Sequence, residues 1–459
     1  MEGGKFMRIL IYNWARLDET NTCGGVSVYT RNIVSSLLKD EKYDIYFLNS
    51  GFSYTLDGKL KIKKSQNLFG EKVCSYEIFN SPVIAPVQQS IKNTKKYLQD
   101  QTLYNLIKAW MKNIGPFDVI HFQNLEGLSL SVLRLKEDFP NTKFIYSVHN
   151  YFPLCTAVNL WNIDHNCEYG NFLNCEHCFC RRRYRSAKLL RIFGNFRLLE
   201  GSTYYLSKYY PDEDSPNLYE QFYSENKKFI NQYIDQILAV SERVKAILVR
   251  NGYDEDKIQT SYIGTKVAEN QVSPNISIEC SDPFKIIYMG YMLNFKGYHF
   301  FINALKKIPL DMAKNIHVTI CARHSKVFQK MELDDLEHIK DHFYKIDLFN
   351  GYDATSQREY LQGQHLGVVP VLWEDNLPQV LIEQIAYGVP VLCSDLGGGK
   401  EIVNNPDFVF EAGNEQDFIN KFCSIYSNRA KLSTFWEKVK KLTTLDEHVN
   451  FLNTIYYSK

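Results

Sequence analysis

Short apolar runs alternate along the chain with longer segments whose apolar residues recur at helical spacing. Such runs, rich in branched and aromatic residues, are typical of parallel strands that are buried on both faces. In the first half, the pattern predicts helices over 26–39 and 125–136 and strands over 8–13, 43–48, 118–122, 143–148 and 236–240. Strands and helices in alternation indicate a doubly wound α/β domain with a parallel sheet.

The same alternation begins again after residue 283 and predicts a second domain of this class. Its predicted elements are helices over 298–307 and 378–387 and strands over 284–289, 317–321, 343–346, 368–372 and 389–393. The segment 261–282 between the two series carries Gly, Ser, Pro and Asn residues, which is typical of a linker. The predicted fold is therefore α/β, with two doubly wound, Rossmann-like domains.

Composition and charge narrow the classes of function. The chain has 459 residues, 45% hydrophobic and 23% charged, as expected of a globular protein with two or more domains. Its formal net charge of +1 argues against bulk electrostatic binding of nucleic acid. No apolar segment reaches the length of a membrane span, and the first residues lead into a strand-like run without a signal-peptide core. We therefore expect a cytoplasmic protein.

The segment 374–390 combines a polar turn, a short helix and two spaced carboxylates. Pro378 suits the first helical position, and Gly388 can adopt the left-handed conformation that ends a helix. Because this helix follows a predicted strand, its N-terminus opens beyond the carboxyl end of that strand, where backbone N–H groups and the helix dipole favour a phosphate. Glu383 lies one turn further in, within reach of hydroxyl groups on such a ligand. The alternative is that Asp375 caps the helix and Glu383 is exposed.

The spacing Asp375-x7-Glu383, followed by Ala-Tyr-Gly-Val-Pro-Val at 386–391, resembles the signature of family 4 glycosyltransferases, which are retaining enzymes of the GT-B fold. The resemblance implies that Glu383 binds the ribose of a nucleotide-sugar donor and that Asp375, where the family has Glu, approaches the donor sugar. It also implies that the helix start holds the diphosphate. The residues at that helix start are Leu377, Pro378, Gln379 and Val380.

The GT-B fold places two Rossmann-like domains across a cleft and usually returns its last helix to the first domain. The resemblance therefore implies an N-terminal acceptor-side domain over 1–265, with an insertion at 151–231. It implies a nucleotide-sugar-binding domain over 266–433 and a returning helix over 434–459.

Glycines at three further places match the family in register. Gly24 and Gly25 follow the opening strand, and the resemblance implies contact with the donor phosphate or the acceptor. Gly290 follows the first strand of the second series and belongs to the expected donor site. Gly398 and Gly399 follow the strand beyond the signature helix, where their backbone N–H groups are expected to approach the donor sugar. The alternative for Gly24 and Gly25 is a simple tight turn.

Two polar residues complete the expected catalytic set. Lys296 matches the family's Lys-Gly and is expected to balance charge on the leaving diphosphate, while Tyr291 stands where the family has Arg. Arg323, after the next strand, is a candidate replacement for that cation. His149 ends a first-domain strand and is expected near the reacting sugar, with Asn150 where the family has an acid. Without the match in register, Lys296 would be a solvated loop lysine and His149 a structural residue.

A group of cysteines in the insertion predicts a metal site. The pattern is Cys-x11-Cys-x7-Cys-x2-Cys, formed by Cys155, Cys167, Cys175 and Cys178. Because a loop of this kind has little core of its own, four thiolates on a structural zinc ion would supply folding energy. An iron–sulfur cluster and disulfides are the alternatives.

The segment 181–199 mixes six arginines and one lysine with Leu, Ile and Phe in an otherwise nearly neutral chain. This composition fits an interfacial helix that binds anionic lipid on the inner face of the cell membrane. It also fits an ordinary amphipathic helix packed on the first domain, and the residues do not separate the two.

The resulting prediction is an enzyme of the hexosyltransferase type. It moves a sugar from a UDP- or GDP-sugar donor to a saccharide acceptor, lipid-linked in the favoured version, in surface polysaccharide biosynthesis. No catalytic metal is expected, because Lys296 and the helix dipole can balance the phosphate charge. No nucleic acid is expected as a partner, because the net charge is only +1. Two alternatives stay open: a non-catalytic GT-B protein that acts as a binding or scaffolding subunit, and a nucleotide-sugar epimerase or phosphorylase.

Overall fold

The computed structural model describes residues 6–18, 24–86, 91–162, 165–167, 215–269, 271–272, 274, 283–323 and 336–458. The chain forms two compact units. The first draws its residues from Met1–Ile163, Cys167–Gly264 and Leu445–Lys459, and the second from Asp164–Asn166 and Thr265–Thr444. In the described residues, no helix has both the length and the apolar composition that crossing a membrane requires.

Most strands of the first series belong to one large sheet. The strands of the series are β1 (Met7–Tyr12), β2 (Tyr43–Ser50), β3 (Lys61–Lys64), β4 (Cys74–Phe79), β5 (Val119–Phe122), β6 (Lys143–Val148), β7 (Trp161–Asn162), β8 (His165–Asn166), β9 (Gln236–Ala239) and β10 (Ile258–Thr260). Eight of them form a sheet in the order β10-β9-β6-β5-β1-β2-β4-β3, and β7 and β8 form a separate two-stranded sheet. Only the edge strand β3 is antiparallel to its neighbour. The strand order reverses between β1 and β5, so the loop after β1 opens at a switch point of the topology.

The described α-helices of the first unit are Gly25–Leu37, Ile91–Leu98, Gln101–Ile114, Leu135–Asp138, Ser215–Tyr233, Glu242–Arg250 and Leu445–Tyr457. The predicted helix over 125–136 is wrong. Residues 125–129 form no helix, a 3-10 helix occupies Leu130–Arg134, and the α-helix starts only at Leu135. The physical reason is local: the Ser129 side chain accepts a hydrogen bond from the Ser131 N–H and starts the 3-10 turn.

The C-terminal segment differs from the single predicted helix over 434–459. It contains two helices, Lys431–Lys438 in the second unit and Leu445–Tyr457 in the first. The break occurs because Val439 adopts an extended ψ of 135° and the next residue, Lys440, donates its N–H to the Ile402 carbonyl. The helix Leu445–Tyr457 then packs its apolar face within the first unit, with Leu452 fully buried.

The second unit contains a six-stranded, all-parallel sheet. Its strands are β11 (Phe284–Tyr291), β12 (Ile316–Arg323), β13 (Lys345–Phe349), β14 (Leu366–Val369), β15 (Val391–Ser394) and β16 (Val409–Phe410). The strand order is β13-β12-β11-β14-β15-β16. Its described α-helices are Lys266–Glu269, Tyr298–Leu305, Leu310–Ala313, Ala354–Leu361, Gln379–Ala386, Gly399–Val403, Glu415–Ser427 and Lys431–Lys438. Because the order reverses between β11 and β14, the loops after these two strands flank the switch point where α/β sheets bind ligands.

The two sheets confirm the predicted fold class. The central strands read as continuous apolar runs because both of their faces are covered, and every residue of β14 and β15 is buried.

Candidate active site

Two glycines lock together three loops at the carboxyl edge of the second sheet. Gly297, with φ +78°, lies so close to the next loop that a Cβ would stand 1.7 Å from the Pro370 carbonyl oxygen. Gly397, with φ +70°, would place a Cβ 2.0 Å from the carbonyl oxygen of Asp375. Any side chain at either position would therefore push backbone apart. The loops after β11, β14 and β15 form one tightly packed group.

Lys296 and Asp375 meet within this group of loops. The Lys296 Nζ lies 2.7 Å from the Asp375 Oδ2 and 4.9 Å from the centre of the Trp373 ring. The Lys296 side chain is 29% exposed and that of Asp375 is 10% exposed, so the pair lies at the surface of the site with its carboxylate mostly covered. The structure thus brings together two of the predicted catalytic residues, 79 positions apart in sequence.

Backbone contacts hold the carboxylate loop in place. Glu374 accepts a hydrogen bond from the Gly397 N–H at 2.9 Å, and the Asp375 carbonyl accepts one from the Gly398 N–H at 2.9 Å. Gly399 packs against the signature helix, where a Cβ would lie 3.0 Å from Leu381 Cδ1. The predicted glycines therefore support the loop that carries Asp375.

The signature helix runs over Gln379–Ala386, one residue shorter at each end than predicted. Pro378 is the residue before the first turn, with an extended ψ of 113°, and no side chain caps the helix start. The first turn contains no acidic residue. A helix start of this kind, next to Leu377 and followed by Val380, can receive an anion because its dipole is not already satisfied by a carboxylate.

Glu383 is held from one side by two neutral donors. The Gln357 Nε2 donates to Glu383 Oε2 at 2.6 Å, and the Tyr352 hydroxyl donates to the same oxygen at 3.4 Å. Burial raises the pKa of the Glu383 carboxyl to about 7, although both hydrogen bonds act to lower that pKa. Within the described part of the chain, no group donates to the other oxygen, Oε1. One carboxylate oxygen is thus oriented and the other can accept from a ligand.

Gln357 is positioned by the start of its own helix, Ala354–Leu361. The Asp353 side chain accepts from the N–H groups of Thr355 and Ser356, and the Ser356 Oγ accepts from the Asp353 N–H, which completes a capping box. One turn later, the side chain of Gln357 is buried, 4% exposed, and directed at Glu383.

In the first unit, Gly24 precedes the helix Gly25–Leu37 at the switch point after β1. Its φ of +76° is a conformation that favours glycine, and no side chain caps the helix start. A Cβ on Gly24 would have no described heavy atom within 4 Å. Among the described residues, no neighbouring atom therefore restricts the position next to Gly24, and its positive φ favours glycine there.

His149 follows β6 and belongs to a network of aromatic and polar groups. Its Nε2 lies 3.0 Å from the Gln123 Oε1, and its ring centre lies 4.5 Å from that of Tyr29. With the Gln123 amide in this orientation its oxygen accepts, and an imidazole with its proton on Nε2 keeps the Nδ1 lone pair for another partner. The Tyr29 hydroxyl in turn lies 2.6 Å from the His448 Nε2 on the last helix. Burial lowers the pKa of His149 to about 3, so its imidazole is neutral near pH 7.

Asn150 has a structural role that the sequence did not indicate. Its Nδ2 donates to the Glu126 Oε1 at 3.1 Å, and its Oδ1 accepts from the Phe152 N–H at 3.0 Å. The Glu126 carboxylate, in the loop after β5, therefore lies next to Asn150, although the sequence has no acidic residue at position 150. Because Glu126 is only 4% exposed, the side chain of Asn150 helps to compensate its burial.

The predicted metal ligands lie only partly in the described residues. Desolvation raises the pKa of the Cys155 thiol, while backbone N–H groups of residues 157–160 act in the opposite direction. Val158 and Leu160 take positive φ values of 64° and 49°, which are uncommon for such residues, and the Val158 N–H donates to the Cys155 carbonyl at 2.9 Å. The Cys167 N–H donates to the Leu160 carbonyl at 2.8 Å.

Cys175, Cys178 and the basic segment 181–199 lie outside the described residues. Among the described side chains, no group of three or more His, Cys, Asp or Glu residues could hold a metal ion.

Sequence reasoning missed four residues of these networks: Gln123, Glu126, Tyr352 and Gln357. None of them stands in a recognisable motif, and each gains its role from a contact with another loop or helix. Gln123 and Glu126 follow β5 and Tyr352 follows β13, while Gln357 lies on a helix, and a single sequence does not display the contacts that distinguish them.

Two protein-family models match the chain, and together they cover most of it. The family model "Glycosyltransferase Family 4" matches residues 23–268, and the family model "Glycosyl transferases group 1" matches residues 272–442. No protein among the curated sequences matches the chain.

Solved structures share the whole fold at low sequence identity. Sucrose-phosphate synthase from Thermosynechococcus elongatus has a TM-score of 0.61 at 14% identity, with 98% of each chain covered. Anabaena HepE, solved with UDP and glucose, has a TM-score of 0.58 at 13% identity and covers 98% of this chain and 100% of its own. The lipopolysaccharide outer core galactosyltransferase WaaB has a TM-score of 0.59 at 13% identity, with 98% and 99% covered.

Proposed function

Since the chain belongs to glycosyltransferase family 4, we propose that it transfers a sugar from a nucleoside-diphosphate donor to a saccharide acceptor with retention of configuration. The observation that carries this proposal is the arrangement at the switch point of the second sheet. Lys296 and Asp375 meet there at 2.7 Å, beside a helix start without a side-chain cap and a carboxylate, Glu383, with one oxygen available. UDP bound to HepE is a property of that protein, and it supports the choice of a nucleotide sugar as donor here.

The donor is bound through its two polar ends. The hydroxyl groups of the ribose donate to Glu383 Oε1, since Oε2 is already occupied by Gln357 and Tyr352. The diphosphate lies at the start of the signature helix, where the dipole and the Lys296 ammonium favour negative charge. Asp375 contacts the transferred sugar, together with the backbone of Gly398 and Gly399.

The chemistry then requires little beyond charge stabilisation. The bond between the anomeric carbon and the diphosphate oxygen breaks, and the acceptor hydroxyl forms its bond to that carbon on the same face. The acceptor proton passes to the leaving phosphate, so that no protein nucleophile is needed. Lys296 stabilises the charge that develops on the diphosphate, which is the interaction that lowers the barrier.

The first unit binds the acceptor. Gly24, which precedes the helix Gly25–Leu37, has no described heavy atom within 4 Å of the position that a Cβ would take. His149 is neutral near pH 7, because its pKa is about 3, so it acts as a hydrogen-bonding group for a sugar hydroxyl through Nδ1 and not as a charged acid.

The acceptor is a saccharide of a surface polysaccharide, carried on a lipid in the favoured version. The likeness to WaaB, a lipopolysaccharide outer core galactosyltransferase, supports this class of acceptor at the level of fold. The basic segment 181–199 supports contact with an anionic membrane surface, because arginines mixed with large apolar residues bind such surfaces.

The insertion holds a structural zinc ion on Cys155, Cys167, Cys175 and Cys178. The donor set fits zinc, since four thiolates form the closed coordination that structural sites show. Burial raises the pKa of the Cys155 thiol, and the backbone N–H groups of residues 157–160 act against this rise, so that a bound zinc ion would complete the stabilisation of the thiolate, the form that binds metal. Zinc bound in this way would stabilise the insertion and take no part in the chemistry.

A nucleotide-release assay tests the function. Purified protein is first screened by thermal shift against a panel of UDP- and GDP-sugars, since a ligand that binds the folded state raises the melting temperature. The donor that stabilises it is then incubated with and without saccharide acceptors. Acceptor-dependent release of the nucleoside diphosphate, with an anomeric configuration in the product that matches the donor, supports a retaining transferase. Epimerised donor, or release that requires phosphate, would replace this proposal with the epimerase or phosphorylase alternative.

A further inference from the structure

The diphosphate site proposed above has one cation that is already paired. The Lys296 ammonium lies 2.7 Å from the Asp375 carboxylate, so much of its charge is balanced before any ligand binds. Two further carboxyl groups lie nearby: Glu374 belongs to this group of loops, and Glu383 lies on the signature helix that follows it. A nucleoside diphosphate carries two to three negative charges and would meet a nearly neutral site if Lys296 were the only cation.

Arg323 is a second cation at this edge of the sheet. It is the last residue of β12 and lies in register with Tyr291, the last residue of β11, at the switch-point strand. Its side chain is exposed, and in the described part of the chain it has no carboxylate partner. The guanidinium carbon lies 5.9 Å from the centre of the Tyr291 ring. A guanidinium held over an aromatic ring stays oriented and keeps its hydrogen-bond donors for a ligand.

Arg323 also borders the loop that supports Glu383. Gly351, with φ +77°, would place a Cβ 3.6 Å from the Arg323 Nε, so the arginine stem lies along this turn. The next residue, Tyr352, donates its hydroxyl to Glu383. On the other side, the Arg323 carbonyl accepts from the Met292 N–H at 3.4 Å, within the loop that leads to Lys296. Arg323 therefore stands between the loop of the paired lysine and the loop of the ribose carboxylate.

We propose that Arg323 binds the diphosphate of the donor and supplies positive charge that Lys296, already paired with Asp375, does not. The proposal rests on the proposed function and concerns the phosphates only. A guanidinium presents two parallel N–H groups that match two phosphate oxygens, and it cannot lose its proton. Tyr291 keeps the guanidinium at the end of the sheet, where the diphosphate would lie.

The test compares nucleotides that differ by one phosphate. Calorimetry measures the affinity of the protein for the nucleoside diphosphate and for the corresponding monophosphate, with the base that the wild-type protein prefers. Arg323→Met keeps the length and apolar character of the stem, and Arg323→Lys keeps the charge. Arg358→Met is the matched control, because Arg358 is an exposed arginine on a helix of the same unit with no described ion pair.

Arg323→Met should weaken binding of the diphosphate by about 10- to 100-fold, which is the scale of one charge-assisted hydrogen-bonding group. Binding of the monophosphate should change by less than about threefold. The diphosphate affinity of Arg323→Lys should lie between those of the wild-type and Arg323→Met proteins. Tyr291→Arg in the Arg323→Met background should restore at least part of the diphosphate affinity. Thermal unfolding of each variant confirms that the fold is intact.

Equal affinities of wild-type and Arg323→Met protein for the diphosphate would overturn the proposal. The same loss for monophosphate and diphosphate would also overturn it, because it would assign Arg323 to the nucleoside end of the ligand. If the wild-type protein bound no nucleotide at all, the proposed function would fail together with this one. A selective loss that Tyr291→Arg repairs would support both.

Discussion

Glu383 should make nucleotide binding and protein stability depend on pH in opposite directions. In the free protein, burial raises the pKa of its carboxyl from 4.5 to about 7. Ribose hydroxyls donate to a carboxylate, so the ligand should bind the ionised form more tightly than the protonated form. Below about pH 7, therefore, each molecule must first lose a proton from Glu383 before it can bind well.

The magnitude follows from the size of this shift. The dissociation constant should be flat above about pH 8 and rise by up to tenfold for each pH unit below 7, as expected for the release of one proton. Protonation of the ligand phosphates adds its own pH dependence. Glu383→Gln serves as the reference, because the amide keeps the size of the side chain and cannot titrate. The difference between the two proteins isolates the carboxyl group.

Stability should respond with the opposite sign. Between pH 4.5 and 7 the folded protein holds a proton on Glu383 that the unfolded chain has released, so stability falls as pH rises through this window. The difference between the ordinary pKa of 4.5 and the folded-state pKa of about 7 corresponds to about 3 kcal/mol of lost stability at pH 8, at about 1.36 kcal/mol for a pKa difference of one. Glu383→Gln should therefore raise the free energy of unfolding by up to that amount at pH 8 and change it little at pH 4.

The assay is calorimetry from pH 6 to pH 9 in two buffers with different ionisation enthalpies, which counts the protons released on binding. Urea unfolding of the ligand-free proteins at pH 5 and pH 8 gives the stability difference. His149, with a pKa of about 3, and His448, with a pKa of about 4, do not titrate in this range. Identical pH profiles for wild-type and Glu383→Gln protein would refute the reasoning.

Three further outcomes are expected. Lys296→Ala should lower turnover by roughly 10²-fold, the cost of one preorganised electrostatic contact, in an initial-rate assay with Lys314→Ala as the exposed control; unchanged turnover would exclude the role. Gly397→Ala should lower the melting temperature and donor affinity together, because its Cβ would stand 2.0 Å from a backbone oxygen; a wild-type melting curve would contradict the packing argument. Elemental analysis should find about one zinc ion per chain, and Cys175→Ser should remove it and increase proteolysis of the insertion; metal-free wild-type protein would refute the site.

The fold was largely predictable because its central strands are buried on both faces. The run at 389–393 contains no charged residue, and the structure places β15, Val391–Ser394, in the interior of the sheet with all four residues buried. The edge of the first sheet was not predictable in this way. Strand β3, Lys61–Lys64, reads Lys-Ile-Lys-Lys, a composition that protects an exposed edge from further pairing and gives no apolar signal.

The donor site divides along the same line. Lys296 and Asp375 are 79 residues apart, yet their meeting could be expected because both follow strands that flank the switch point. The contact between Glu383 and its partner could not be expected from the topology. Gln357 stands in a short, weakly amphipathic helix, and nothing in its neighbourhood distinguishes it from a solvated glutamine.

The contrast between the two carboxylates of the site suggests a division of labour. Asp375 is already held in an ion pair with the Lys296 ammonium at 2.7 Å. Among the described residues, Glu383 faces an amide and a phenol, so its charge is stabilised weakly until a ligand arrives. A site built in this way would couple ionisation of the ribose-side carboxylate to nucleotide binding. Replacing Gln357 by a cation would remove that coupling, at the expense of the oxygen geometry that the ribose requires.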